Sequence, residues 1–119
     1  MLGLRTGIEL YPGVADKGVK PNHGKCIISR SARIGRDTII VGFVTIGGVG
    51  GKRDGAGVAT IGQRCFISTG VRIIGPVHIA DNVVLGANAV VVKDIEESGT
   101  YVGVPARKIN DVGSEEYIR

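Results

Sequence analysis

Two side chains in this sequence are suited to moving a proton near neutral pH: His23 and His78. A histidine of this kind can act as a general base, taking the proton of a weak nucleophile such as a hydroxyl as it attacks. His23 lies in KPNHGKCIIS, and His78 in IIGPVHIADN. Cys26 is three residues from His23, so a Cys–His nucleophilic pair is a second reading of that segment. Two histidines cannot supply the three ligands of a catalytic zinc site built from histidine alone. The two cysteines, Cys26 and Cys65, form no C-x-x-C spacing, so no metal is expected. The segment GGVGGKRDGAG resembles a phosphate loop only superficially. Ile46 stands where a Walker A motif needs its first Gly, and Arg53 where it needs Ser or Thr. Its backbone N–H groups can still line an oxyanion or an extended ligand arm. A second basic group, Lys93, Arg107 and Lys108, falls near the end of the chain and suits a phosphorylated ligand.

These residues must be positioned by something, and the sequence states what. Aliphatic residues recur every six positions at Ile28, Ile34, Ile40 and Ile46, then at Ile61, Ile67, Ile73, Ile79, Leu85 and Val91. The phase breaks once, where nine extra residues enter around the Gly-rich segment. The fifth position of each block is small or β-branched in every case: Ala32, Thr38, Val44, Cys65, Val71, Val77, Val83, Ala89 and Ile95. A six-residue period fits neither a helix nor an alternating strand pair. It fits short strands joined by tight corners, with the first and fifth residues inward and the second, often Gly, helping to turn the corner. Three blocks make one triangular coil of 18 residues, and coils stack at about 4.8 Å. Ile8 and Val14 keep the six-residue spacing upstream and suggest a poorer first coil. The spacing thus predicts an all-β parallel helix forming a single domain over 1–119. A loop is expected at 47–60, and a polar cap over about 96–119 with a short final helix.

Composition agrees with this. Hydrophobic residues make up 43% of the chain but aromatics only 4%, so the core is aliphatic. The 20 glycines, without a three-residue period, argue for regular turns rather than collagen. The net charge of +4 is too mild to predict nucleic-acid binding but suits a small polyanion. No apolar run reaches the roughly 20 residues of a membrane span, and the N-terminus lacks a signal-peptide core. A reducing, cytoplasmic setting is expected, with neither a nucleic acid nor a membrane as partner.

The order VTIGGVGGKRDG, repeats, then GVPARKI resembles the hexapeptide-repeat acyltransferases, notably the catalytic domain of serine acetyltransferases and related sugar or capsule O-acetyltransferases. The resemblance runs from about Ile8 to Ile109. It implies a left-handed coil, against the usual right-handed crossover. It implies a homotrimer with sites between subunits, and direct acetyl transfer from acetyl-CoA without an acyl-enzyme. It assigns His23 as the base and Glu9 as the carboxylate that orients it. Asn22 and Arg53 become candidates for holding the acceptor. Gly48, Thr69, Ala87, Lys93, Arg107 and Lys108 become candidates for binding CoA. His78 is left as a surface corner residue. Two features depart from the serine enzymes: no counterpart to their helical N-terminal region precedes Ile8, and the loop's GAGVAT lacks their Arg-His pair. Serine and a sugar hydroxyl therefore both stand as acceptors. A non-catalytic β-helix scaffold is the alternative outside the enzymes.

Overall fold

The computed structural model describes residues 8–9, 18, 20–21, 25–48 and 58–117. Strands of two to four residues follow one another around three faces. They are β1 (Ile8–Glu9), β2 (Lys20–Pro21), β3 (Cys26–Ile28), β4 (Arg33–Ile34), β5 (Ile39–Ile40), β6 (Thr45–Gly47) and β7 (Thr60–Ile61). Next come β8 (Phe66–Ile67), β9 (Arg72–Ile74), β10 (His78–Ile79), β11 (Val83–Leu85) and β12 (Val90–Val91). Two longer strands close the stack, β13 (Gly99–Val102) and β14 (Arg107–Asn110). The final element is one 3-10 turn, Ser114–Glu116.

From β3 to β12 every third strand stacks on the same face. The first sheet runs β1-β3-β6-β9-β12, the second β4-β7-β10, and the third β2-β5-β8-β11-β13-β14. All neighbours are parallel except β13 and β14. Ile28 pairs with Ile46, Ile46 with Ile73 and Ile73 with Val91. The outer two steps are the predicted 18 residues, and the middle step is longer by the nine inserted ones. The insertion therefore leaves the stack in register. Each first- and fifth-position residue from Ile28 to Ile95 is buried. Thr38 is the polar exception among them. Its hydroxyl accepts the Cys65 N–H and donates to the Gly62 carbonyl, both at 3.2 Å, so burial leaves it satisfied.

The corners are built differently from the sequence expectation. At six corners the residue with left-handed backbone is the fourth of its block, not the second. Asp37, Phe43, Arg64, Asn82 and Asn88 all have φ between 55° and 61°, and Gly70 has φ 74° at the equivalent place. The second-position glycines serve close approach between levels. A Cβ on Gly35 would lie 2.5 Å from the Gly62 carbonyl carbon, and one on Gly86 would lie 2.7 Å from Val102 Cγ1.

Both ends of the coil depart from period. Ile8 stands level with Cys26, which puts it in the fifth-position column rather than the first. Glu9 precedes its partner Ile27 by 18 residues, whereas Lys20 precedes Ile39 by 19, so the register changes between β1 and β2. At the other end Ile79 bridges Ile95 and Val83 pairs with Gly99, both 16 residues apart. The coil loses two residues there, and Ile95 takes a first-position place. That shortened corner carries Lys93 and Asp94.

Candidate active site

At the shortened corner a pocket of about 260 Å³ opens between the end of the coil and the β13–β14 hairpin. Val91, Val92, Tyr101 and Pro105 give it an apolar wall, and Lys93, Asp94, Arg107 and Lys108 its polar one. Two backbone bonds lace the hairpin turn to β12. The Val90 N–H donates to the Gly103 carbonyl at 3.0 Å, and the Ala106 N–H donates to the Val90 carbonyl at 2.8 Å. The GVPARK segment is thus the pocket's roof, which gives the motif a structural reason.

The three basic residues singled out from sequence come together here, but they differ in their surroundings. Lys108 Nζ lies 2.7 Å from Asp111 Oδ1 and 3.2 Å from Glu97 Oε2. The Asp111 and Glu97 hydrogen bonds raise the Lys108 pKa above its ordinary range, and Lys108 in turn lowers that of Asp111. The side chains of Lys93 and Arg107 have no hydrogen-bond or ion-pair partner among the described residues. Among the described residues they are the pocket's cations that no ion pair engages. Asp94 is partly engaged, since its Oδ1 accepts the His78 N–H at 2.8 Å.

The other cofactor candidates lie on prism edges rather than in the pocket. Thr69 and Ala87 are exposed and one level apart on the edge between the third and first sheets. The pairing of Leu85 with Tyr101 carries that edge up toward the Gly103–Pro105 turn. Gly48, also exposed, follows β6 on the opposite edge, between the first and second sheets. Within one chain these edges are separated by the whole width of the first sheet.

His23, Asn22 and Arg53 lie outside the described residues. Glu9 stands in β1, level with Ile27, which follows His23 by four residues. His78 is exposed in β10, and its imidazole has no partner among the described residues. Neither cysteine has an activated thiol. Burial is the chief cause of a raised pKa in both, and for Cys65 the value is about 11. Cys65 is a core residue that also donates weakly to the Ala80 carbonyl at 3.3 Å.

Sequence reasoning passes over Tyr101, Glu97 and Asp111. Only the Lys108–Asp111 spacing of three hints at a pair. The hairpin that brings Glu97 to them has no periodic signature.

No helix among the described residues is long and apolar enough to cross a membrane. Residues 59–93 match the family described as bacterial transferase hexapeptide, six repeats. A serine acetyltransferase of Mycobacterium tuberculosis is 39% identical over 111 residues, covering 89% of this chain and 47% of the relative. A serine acetyltransferase of Neisseria gonorrhoeae, solved in complex with serine, superposes with a TM-score of 0.76 at 31% identity, over 85% of this chain and 42% of that one. One from Brucella abortus, solved with coenzyme A, gives a TM-score of 0.80 at 27% identity, over 92% of this chain and 44% of that one. The chain spans about half the length of the curated relatives it matches. The stack is a left-handed parallel β-helix of hexapeptide repeats, and over about nine-tenths of its length the chain is similar to serine acetyltransferases.

Proposed function

We propose that this chain is an acetyl-CoA-dependent O-acetyltransferase that acetylates the hydroxyl of serine. The observation that carries the reading is the pocket at the end of the coil, with Lys93 and Arg107 in no ion pair among the described residues, in a chain that superposes on a serine acetyltransferase solved with coenzyme A. Paired cations beside an apolar wall suit the nucleotide end of CoA. The exposed edge of Thr69 and Ala87 runs down the coil below the Gly103–Pro105 turn, where Pro105 lines the pocket, and small side chains there let a pantetheine arm approach the backbone.

In this reading His23 takes the proton of the acceptor hydroxyl as its oxygen attacks the thioester carbonyl. The C–O bond forms, the C–S bond breaks, and the proton passes to the departing thiolate. Glu9 holds the imidazole in its tautomer, and Asn22 and Arg53 orient the acceptor. Backbone N–H groups near Gly48 serve the developing oxyanion. Gly48 and the Thr69–Ala87 edge lie on opposite edges of one coil, so a single ligand meets both only where two copies adjoin. That geometry supports a cyclic homotrimer with sites between subunits.

A sugar hydroxyl is the second reading, favoured by the loop sequence GAGVAT, which lacks the Arg-His pair of the serine enzymes. A thiol-release assay with acetyl-CoA, run against serine and a panel of saccharides, decides between them. CoA release dependent on serine is expected. Release with a saccharide and not with serine would transfer the assignment to the sugar. Release with neither, from folded protein, would contradict the enzyme reading.

A further inference from the structure

Lys108 and Tyr101 are cross-strand partners in the β13–β14 hairpin, and both reach back to the same residue. Tyr101 Oη donates to the Glu97 carbonyl at 2.8 Å, and Lys108 Nζ meets the Glu97 carboxylate at 3.2 Å. Lys108 also holds Asp111, just past the end of β14, at 2.7 Å. One ammonium thus ties the residue before the hairpin to the residue after it. The hairpin needs such a tie. Thr100 pairs with Asn110 but Tyr101 with Lys108, so Ile109 is an extra residue and the strand bulges there. Side chains alternate along a strand, so a slip of one residue at the bulge would turn Arg107 to the other face. Gly99 closes the hairpin against the lysine stem: a Cβ there would lie 2.8 Å from Lys108 Cε.

We propose that Lys108 is a positioning residue and not an anion ligand. Gripped by Glu97 and Asp111, it locks the β13–β14 register across the Ile109 bulge and so holds Arg107 toward the pocket. Lys93 and Arg107 are then the pair that meets the donor's phosphates. This rests on the reading of the pocket as the CoA nucleotide site.

The sign of one experiment separates the two roles of Lys108. The variant E97Q/D111N removes two negative charges near the pocket and frees the lysine. Were Lys108 an anion ligand, CoA should then bind more tightly. As a positioning device it should bind more weakly, by about 3–10-fold in calorimetry, the scale of coupled neighbours. The loss should be absent for pantetheine, which carries no phosphate, and absent in the R107A background. Lys108→Arg, able to bridge both carboxylates, should bind CoA like the wild type. Tighter binding by E97Q/D111N, or a K108M loss that adds to that of R107A, would overturn the proposal. If R107A itself leaves CoA binding unchanged, the nucleotide-site reading fails. The clamp is then judged on amide hydrogen exchange, where faster exchange at Val102 and Asn110 in E97Q/D111N supports it and unchanged exchange overturns it. D111N alone serves the same comparisons should the double variant fail to fold.

Discussion

From Ile28 to Val91 the chain is held by inward aliphatic side chains and by backbone bonds from each level to the next. From Glu97 to Tyr117 strand pairing continues through β13 and β14, but polar side chains replace the inward aliphatic ladder. Beyond the Lys108 clamp, Asn82 Oδ1 accepts from both the N–H and the hydroxyl of Ser114 at 2.7 Å, and Asn82 Nδ2 donates to Glu115 at 2.9 Å. Tyr117 stacks on Phe66 with ring centroids 4.6 Å apart. Among the described residues the buried polar side chains are Thr38 and Ser114, one in the coil and one in the cap. The coil therefore resists what the cap feels, namely charge, pH and salt. Repeat stacks need an end that does not propagate, and a polar cap supplies it. Here the same cap also roofs the candidate site, so loosening it should alter binding before it alters stability.

The largest effect on stability is expected in the coil. Ile73, fully buried between Ile46 and Val91, should cost about 2–5 kcal/mol when replaced by Ala. Denaturant unfolding monitored by far-ultraviolet circular dichroism measures this, and a loss under about 1 kcal/mol would break the account of the core. In the cap, Asn82→Ala strands the buried N–H and hydroxyl of Ser114, at a cost of about 1–2 kcal/mol. The cost should appear as release of the C-terminal segment, read by limited proteolysis, and not as unfolding of the coil. Global unfolding with no early cleavage would erase the distinction between the two regions.

The smallest effect is on pH. Asp111 is depressed below its ordinary 3.8 by Lys108, so its contribution is present above that value and lost as pH falls through the depressed one. Glu115 behaves likewise, through its own backbone N–H first and Asn82 second. Lys108 is raised above 10.5, so its share is present below that value and lost as pH rises through the raised one. Acid should therefore loosen the cap before the coil, whose inward positions carry no carboxylate. Tyr117 fluorescence followed down to about pH 3 should change while the circular dichroism of the strands holds. Since these pairs are exposed, salt should mask the effect.

The same contrast explains what can be read in the sequence. The Ile28–Val91 ladder is legible because a six-residue period is a local pattern, repeated often enough to identify the inward positions. The corners are not, because Phe43 and Arg64 adopt a left-handed backbone that their side chains do not advertise, while second-position glycines such as Gly35 and Gly86 draw attention for a different reason. The Glu97–Lys108 half of the clamp and the Asn82–Ser114 tie leave no pattern, since they join residues 11 and 32 apart in sequence without periodicity. Lys93, Arg107 and Lys108 can be grouped in sequence. Only the hairpin's pairing reveals that Lys108 is already neutralised. His23 and Glu9 come from resemblance, because a base and its carboxylate leave no spacing of their own on an irregular first coil.

The reading of this chain as an acetyltransferase working through His23 is tested most directly by assaying H23A and H78A side by side with acetyl-CoA and a responsive acceptor. His23→Ala should lower turnover by about 10²–10⁴, the usual contribution of a general base, while CoA still binds. His78→Ala should leave turnover within about twofold, since the exposed imidazole of His78 has no partner among the described residues to orient it as a base. Near-normal turnover by folded H23A, or a comparable loss in H78A, would contradict it.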